Sequence, residues 1–145
     1  MEPIKVASIR ETLPDYPSVG QLYDELLTYF NQQGVKKGTY CAGIWHDPGY
    51  KDSNVDGEAV ISIEKDIPNT ERIRIYELPR FEKMACLVHH GSYNTLNQAY
   101  AALVSWIEGN GYQIIGPNRE VYITGGNEQD NESYITEVQF PVTKA

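Results

Sequence analysis

Residues 16–34, YPSVGQLYDELLTYFNQQG, return without a gap at residues 93–111 as YNTLNQAYAALVSWIEGNG. A shift of 77 takes Tyr16 to Tyr93, Ser18 to Thr95, Tyr23 to Tyr100, Leu26 to Leu103 and Gly34 to Gly111. Each copy has helical spacing. Val19, Leu22, Tyr23, Leu26 and Phe30 fall on one stripe, as do Leu96, Ala99, Tyr100, Leu103 and Ile107. Ser18 and Thr95 stand where a helix N-cap is expected, and Gly34 and Gly111 where a left-handed turn ends a helix. Tyr23, Tyr29, Tyr100 and Trp106 lie on or beside these stripes and are expected in the core.

The flanks repeat as well. A strand precedes each helix, KVASIRE and EKMACLVHH, and two follow it, TYCAGIWHD with GEAVISI and NREVYIT with SYITEVQFPV. The shift grows to 78 between Gly38 and Gly116 and to 79 between Glu58 and Glu137, which short loop insertions accommodate. An extra strand, ERIRIYELP, precedes the second copy and is expected to extend or pair with its first strand. The chain therefore reads as strand-helix-strand-strand twice. A duplicated unit this small rarely buries its own apolar face. The expected fold class is α+β, with the units (about 3–67 and 72–142) joined into one antiparallel sheet within a single domain spanning 1–145. Both helices are expected on one face, with a central groove.

Composition limits the partners. The net charge is −8, with only 12 Lys and Arg among 145 residues, which argues against direct contact with nucleic acid. Cys41 and Cys86 make neither a disulfide framework nor a zinc spacing, and are expected as buried thiols. No apolar run approaches the roughly 20 residues of a membrane span, and MEPIKVASIRE lacks a signal-peptide core, so a soluble cytoplasmic protein is expected.

One residue breaks the apolar pattern of its strand. In GPNREVYIT, Glu120 stands beside Val121, Tyr122 and Ile123. A buried carboxylate without a partner shifts toward its neutral form. A cation stacked on aromatic faces would restore the charged form, since each desolvated ring attracts it by about 0.5–2 kcal/mol. The residues alone leave open a surface pairing with Arg119 or Lys37. Trp45 and Tyr50, around GIWHDPGY, are candidate pocket walls, with Tyr76 and Tyr40 behind them. Core packing is an equal prospect for Trp45. Glu58 and Glu137 hold equivalent places in the two copies, as a second pocket acid or as structural hydrogen-bond acceptors. His46, Asp47 and Asp52 do not suit a metal, because neighbours on a strand point to opposite faces. The same parity separates His89 from His90. No loop cradles phosphate, Gly125 and Gly126 read as a hairpin turn, and neither cysteine sits on a nucleophile elbow.

Seven stretches carry a resemblance by their order and spacing. They are VASIRETLPDYPSVGQLYDEL, GIWHDPGY, VDGEAVISI, IRIYELPRFEKMACLVHHGSY, AYAALVSWIEGNGY, GPNREVYIT and SYITEVQFPV. Nearly the whole chain resembles the GyrI-like small-molecule-binding domain, the effector-binding domain of AraC- and MerR-type regulators. The resemblance implies the duplicated architecture and a groove for diverse, often cationic, lipophilic compounds, lined by a buried glutamate and aromatic rings. It places the glutamate at Glu120, a pocket tyrosine at Tyr134 and another pocket position at His89, where the family has an aromatic ring. The regulators' helix-turn-helix is not found, so a stand-alone binding protein is expected, with no cofactor and no metal. Two alternatives accompany it. One is a hydrolase of cyclopropane-bearing DNA-alkylating natural products using Glu120. The other is a partner of DNA gyrase or of a separate regulator.

Overall fold

The computed structural model describes residues 4–47, 53–79, 81–124 and 132–145. The chain divides between residues 80 and 81 into two compact units. Both are antiparallel α+β arrangements with the same order of elements.

In the first unit, β1 (Lys5–Leu13) leads through a 3-10 turn into α1 (Val19–Gln33). There follow β2 (Lys37–Trp45), β3 (Val55–Ile63) and β4 (Arg74–Glu77). The strands lie in the order β4-β1-β3-β2, all antiparallel. Alternation divides their side chains between two faces. Ala7, Ile9, Ala59, Ile61, Ile63 and Trp45 share one face and pack on Leu22, Leu26, Tyr29 and Phe30 of α1. Val6, Ser8, Ile44, Glu58 and Val60 share the other, and they too are buried.

The extra strand corrects an expectation. β4 pairs with β1, Tyr76 opposite Val6 and Arg74 opposite Ser8, rather than with the first strand of the second unit. Ile73 and Ile75 reach the first core, and Leu78 N donates to Ile4 O at 2.9 Å. Apolar burial and backbone pairing thus hold it in the first unit.

In the second unit, β5 (Met84–His90) leads through a 3-10 turn into α2 (Leu96–Gly109). There follow β6 (Tyr112–Ile114), β7 (Asn118–Thr124) and β8 (Ile135–Lys144). The order is β7-β8-β5, with the short β6 also pairing with β8. Leu96, Ala99, Leu103 and Ile107 of α2 pack on Ala85, Leu87, Val138, Phe140 and Val142.

The helix ends differ in detail from the sequence reading. Gly34 and Gly111 do adopt left-handed φ values of 68° and 76°. Ser18 and Thr95 hold the N-cap positions, but neither side chain caps its helix. Asp15 accepts from Ser18 N at 3.0 Å, and the Thr95 hydroxyl turns back to Ser92 O at 3.1 Å. A 3-10 turn precedes each helix, with Val19 N donating to Tyr16 O and Leu96 N to Tyr93 O. Trp106 is not a core residue. It is 52% exposed and stacks on Tyr112 at 5.9 Å and 12°. Cys86 is exposed, because it shares with Gln139 the sheet face turned away from α2. Tyr50, Asp52, Gly125 and Gly126 lie outside the described residues.

Candidate functional site

Strand register brings the second-unit candidates onto one surface. Glu120 on β7 lies opposite Val138 on β8, which lies opposite Leu87 on β5. Tyr122 lies opposite Thr136, which lies opposite His89. Residues directly opposite in antiparallel strands point to the same face. Glu120, Tyr122, Thr136 and His89 therefore share the face on which α2 packs. Tyr134 lies just before β8, with its ring packed against Tyr93.

Glu120 is buried, 8% exposed, rather than placed at the surface. The Tyr100 hydroxyl, from α2, donates to Glu120 Oε2, and Tyr122 Oη donates to Oε1 at 3.0 Å. Asn118 Nδ2 in turn donates to Tyr100 Oη at 2.7 Å. Hydrogen bonds to a carboxylate favour its charged form against the penalty of burial. Three rings cluster at the same end of this face. Tyr93 stands edge-on to Tyr122, with centroids 5.8 Å apart, and tilts against the buried Tyr134 at 4.9 Å. His89 is half-buried, with Nε2 3.0 Å from Thr95 Oγ1 and 3.2 Å from Ser92 O.

Tyr100 and Tyr122 were not singled out as pocket residues from the sequence. Tyr100 carried a signal, for its repeat partner Tyr23 donates to Ala42 O at the matching place in the first unit. Register explains why one tyrosine meets an acid and the other a backbone carbonyl. Gly43 lies opposite Ala59 as Glu120 lies opposite Val138, so the first unit has glycine where the second has the acid.

The first-unit candidates separate. Trp45 is on the α1 face, 6% exposed, edge-on to Tyr16 at 4.9 Å and packed over Gly57. Tyr76 lies on the opposite face, where its hydroxyl donates to Glu58 Oε2. Ser8 Oγ donates to the same oxygen, and His46 Nε2 lies 2.8 Å from Glu58 Oε1. Burial pushes the Glu58 carboxyl up, but the bonds from His46, Ser8 and Tyr76 together bring it below its ordinary value. Burial and the neighbouring Glu58 push the Tyr76 phenol well up, so it stays a donor. Tyr40 is half-buried, and its amide donates to Ser62 Oγ at 3.0 Å. Glu137 accepts from Gln139 Nε2 at 2.7 Å, so the two equivalent acids have different surroundings. Burial raises the Cys41 thiol to about 11, which disfavours the thiolate at neutral pH.

A family model described as the GyrI-like small molecule binding domain matches residues 1–143. The chain belongs to this family. Among solved structures it is similar to EcmrR in an EcmrR–DNA complex, with 32% identity and a TM-score of 0.88. That match covers 100% of this chain and 56% of the EcmrR chain, so the chain spans little more than half of that protein. The isolated EcmrR C-terminal domain matches with 32% identity and a TM-score of 0.82, covering 100% of this chain and 94% of that one. Two more distant structures share the fold. A hydrolase from Listeria innocua is 14% identical, with a TM-score of 0.64, covering 97% of this chain and 88% of that one. SAV2435 bound to tetraphenylphosphonium is 18% identical, with a TM-score of 0.56, covering 99% and 90%. No match was found among curated proteins. This is therefore a GyrI-like small-molecule-binding domain. Among the described residues, no helix is long and apolar enough to cross a membrane.

Proposed function

We propose that this domain binds lipophilic cations on the α2 face of its second unit, with Glu120 as the charge partner. The observation that carries the reading is the placement of a buried carboxylate on the same sheet face as Tyr122 and His89, with Tyr93 packed against both Tyr122 and Tyr134. Tyr100 and Tyr122 supply hydroxyl donors that favour the carboxylate in its charged form before any ligand arrives. Ring faces then hold a cation by area and quadrupole, without fixing its shape. One acid and several rings accept a class of compounds rather than one molecule. Tyr76, Tyr40 and Trp45 belong to the first unit, and the reading assigns them no role.

Calorimetric titration with tetraphenylphosphonium and with its anionic counterpart of matched shape, tetraphenylborate, tests the reading. The cation binds in the micromolar range and the anion at least about tenfold more weakly, the effect of roughly 1.4 kcal/mol of charge discrimination. Equal affinities overturn an acid-centred site.

A further inference from the structure

The row Tyr122–Thr136–His89 contains a second feature, distinct from the acid and the rings. Thr136 is fully buried, and its Oγ1 has no hydrogen-bonding partner among the described residues. Ser92, 1% exposed, likewise leaves its Oγ without one. A buried hydroxyl without a partner destabilises a fold, and native structures rarely carry one without a reason. Both flank His89, one across the sheet and one along the chain. Gly91 lies between His89 and Ser92 in sequence, with φ 135°. A Cβ on Gly91 would lie 3.1 Å from Glu132 Oε2 and 3.6 Å from both His89 Nε2 and Thr95 Oγ1. Donors and acceptors thus gather around a backbone position that carries no side chain.

We propose that this cluster is a polar subsite for a neutral hydrogen-bonding group, a hydroxyl or an amide, on the ligand. The inference rests on the cation reading and narrows the ligand class to bifunctional cations. Thr136 is the diagonal neighbour of Glu120, about 7–8 Å away, and β5 lies two strand spacings, about 10 Å, from β7. The ligand's polar group therefore stands about 7–10 Å from its charge. Glu132 disfavours an anionic group there. Tyr93, Tyr122 and Tyr134 pack together beside Thr136. Both hydroxyls are closed off from solvent, so the subsite opens when these rings move apart to admit the ligand.

The probes are (6-hydroxyhexyl)triphenylphosphonium and hexyltriphenylphosphonium, which differ by one hydroxyl at the end of a six-carbon tether. In the wild-type protein the hydroxyl compound is expected to bind about 3- to 10-fold more tightly, the effect of one net hydrogen bond. Thr136→Val keeps the shape and removes the hydroxyl, and Ser92→Ala serves as the second variant. Each is expected to shrink the preference while leaving hexyltriphenylphosphonium affinity within about twofold of wild type. Equal wild-type affinities for the two compounds overturn the subsite, as does a preference that survives both substitutions. Binding of hexyltriphenylphosphonium reports separately on the cation reading. If neither compound binds, that reading falls and the subsite with it.

Discussion

Tyr100 on α2 donates its hydroxyl to Glu120 on β7, joining the helix to the sheet at the acid itself. The contact is both a packing device and a hydrogen bond donated to the buried carboxyl group. Tyr100→Phe removes a hydrogen bond to a charged group, worth about 1.5–3 kcal/mol. The free protein is expected to lose stability by that amount in urea denaturation. An unchanged midpoint would mean that Glu120 does not depend on Tyr100.

Glu58 makes stability depend on pH. Its carboxyl lies below its ordinary value when folded, because the bonds from His46, Ser8 and Tyr76 outweigh burial. A carboxyl lowered by folding stabilises the fold above its unfolded pKa, about 4.3, and loses that contribution as pH falls through the folded value. Glu58→Gln is expected to destabilise the protein by about 3 kcal/mol at pH 7. The gap between variant and wild type narrows below about pH 4. Urea denaturation at pH 7 and at pH 3 measures both ends. A gap that stays constant would remove Glu58 from the titration.

Trp45 belongs to the first-unit core, between Tyr16 and Gly57. Its Nε1 is buried with no hydrogen-bonding partner among the described residues, so an apolar ring replaces it with little polar loss. Trp45→Phe is expected to lower stability by about 1–3 kcal/mol through lost packing and to leave tetraphenylphosphonium affinity within about twofold. A large fall in affinity with little change in stability would return Trp45 to the ligand site.

Much of this was legible in the sequence. The helices showed in the stripes from Val19 to Phe30 and from Leu96 to Ile107, and alternation marked the principal strands. Glu120 stood out because a carboxylate in an apolar strand needs a reason. The same question applied with equal force to Glu58 in GEAVISI, whose partners could not be read locally. Ser8, His46 and Tyr76 come from β1, the end of β2 and β4, and converge only through pairing between distant segments. β4 was misplaced for the same reason, since nothing in ERIRIYELP names β1 as its partner. β6 was missed because three residues are too few to show a period. Thr136 was hidden because its shape passes for valine in a buried strand, and only the unpartnered hydroxyl distinguishes it.

On the proposed reading, Glu120 carries the charge that selects the ligand. Its most direct test is the affinity of Glu120→Gln for tetraphenylphosphonium, titrated beside wild type at pH 7. The substitution keeps the side chain's shape and its capacity to accept from a tyrosine, and removes the charge. A fall of about 10- to 100-fold in affinity is expected, the range set by a charge-assisted interaction of about 1.5–3 kcal/mol. An affinity within twofold of wild type, from a variant that melts several degrees lower, would contradict it and make Glu120 a residue of the scaffold.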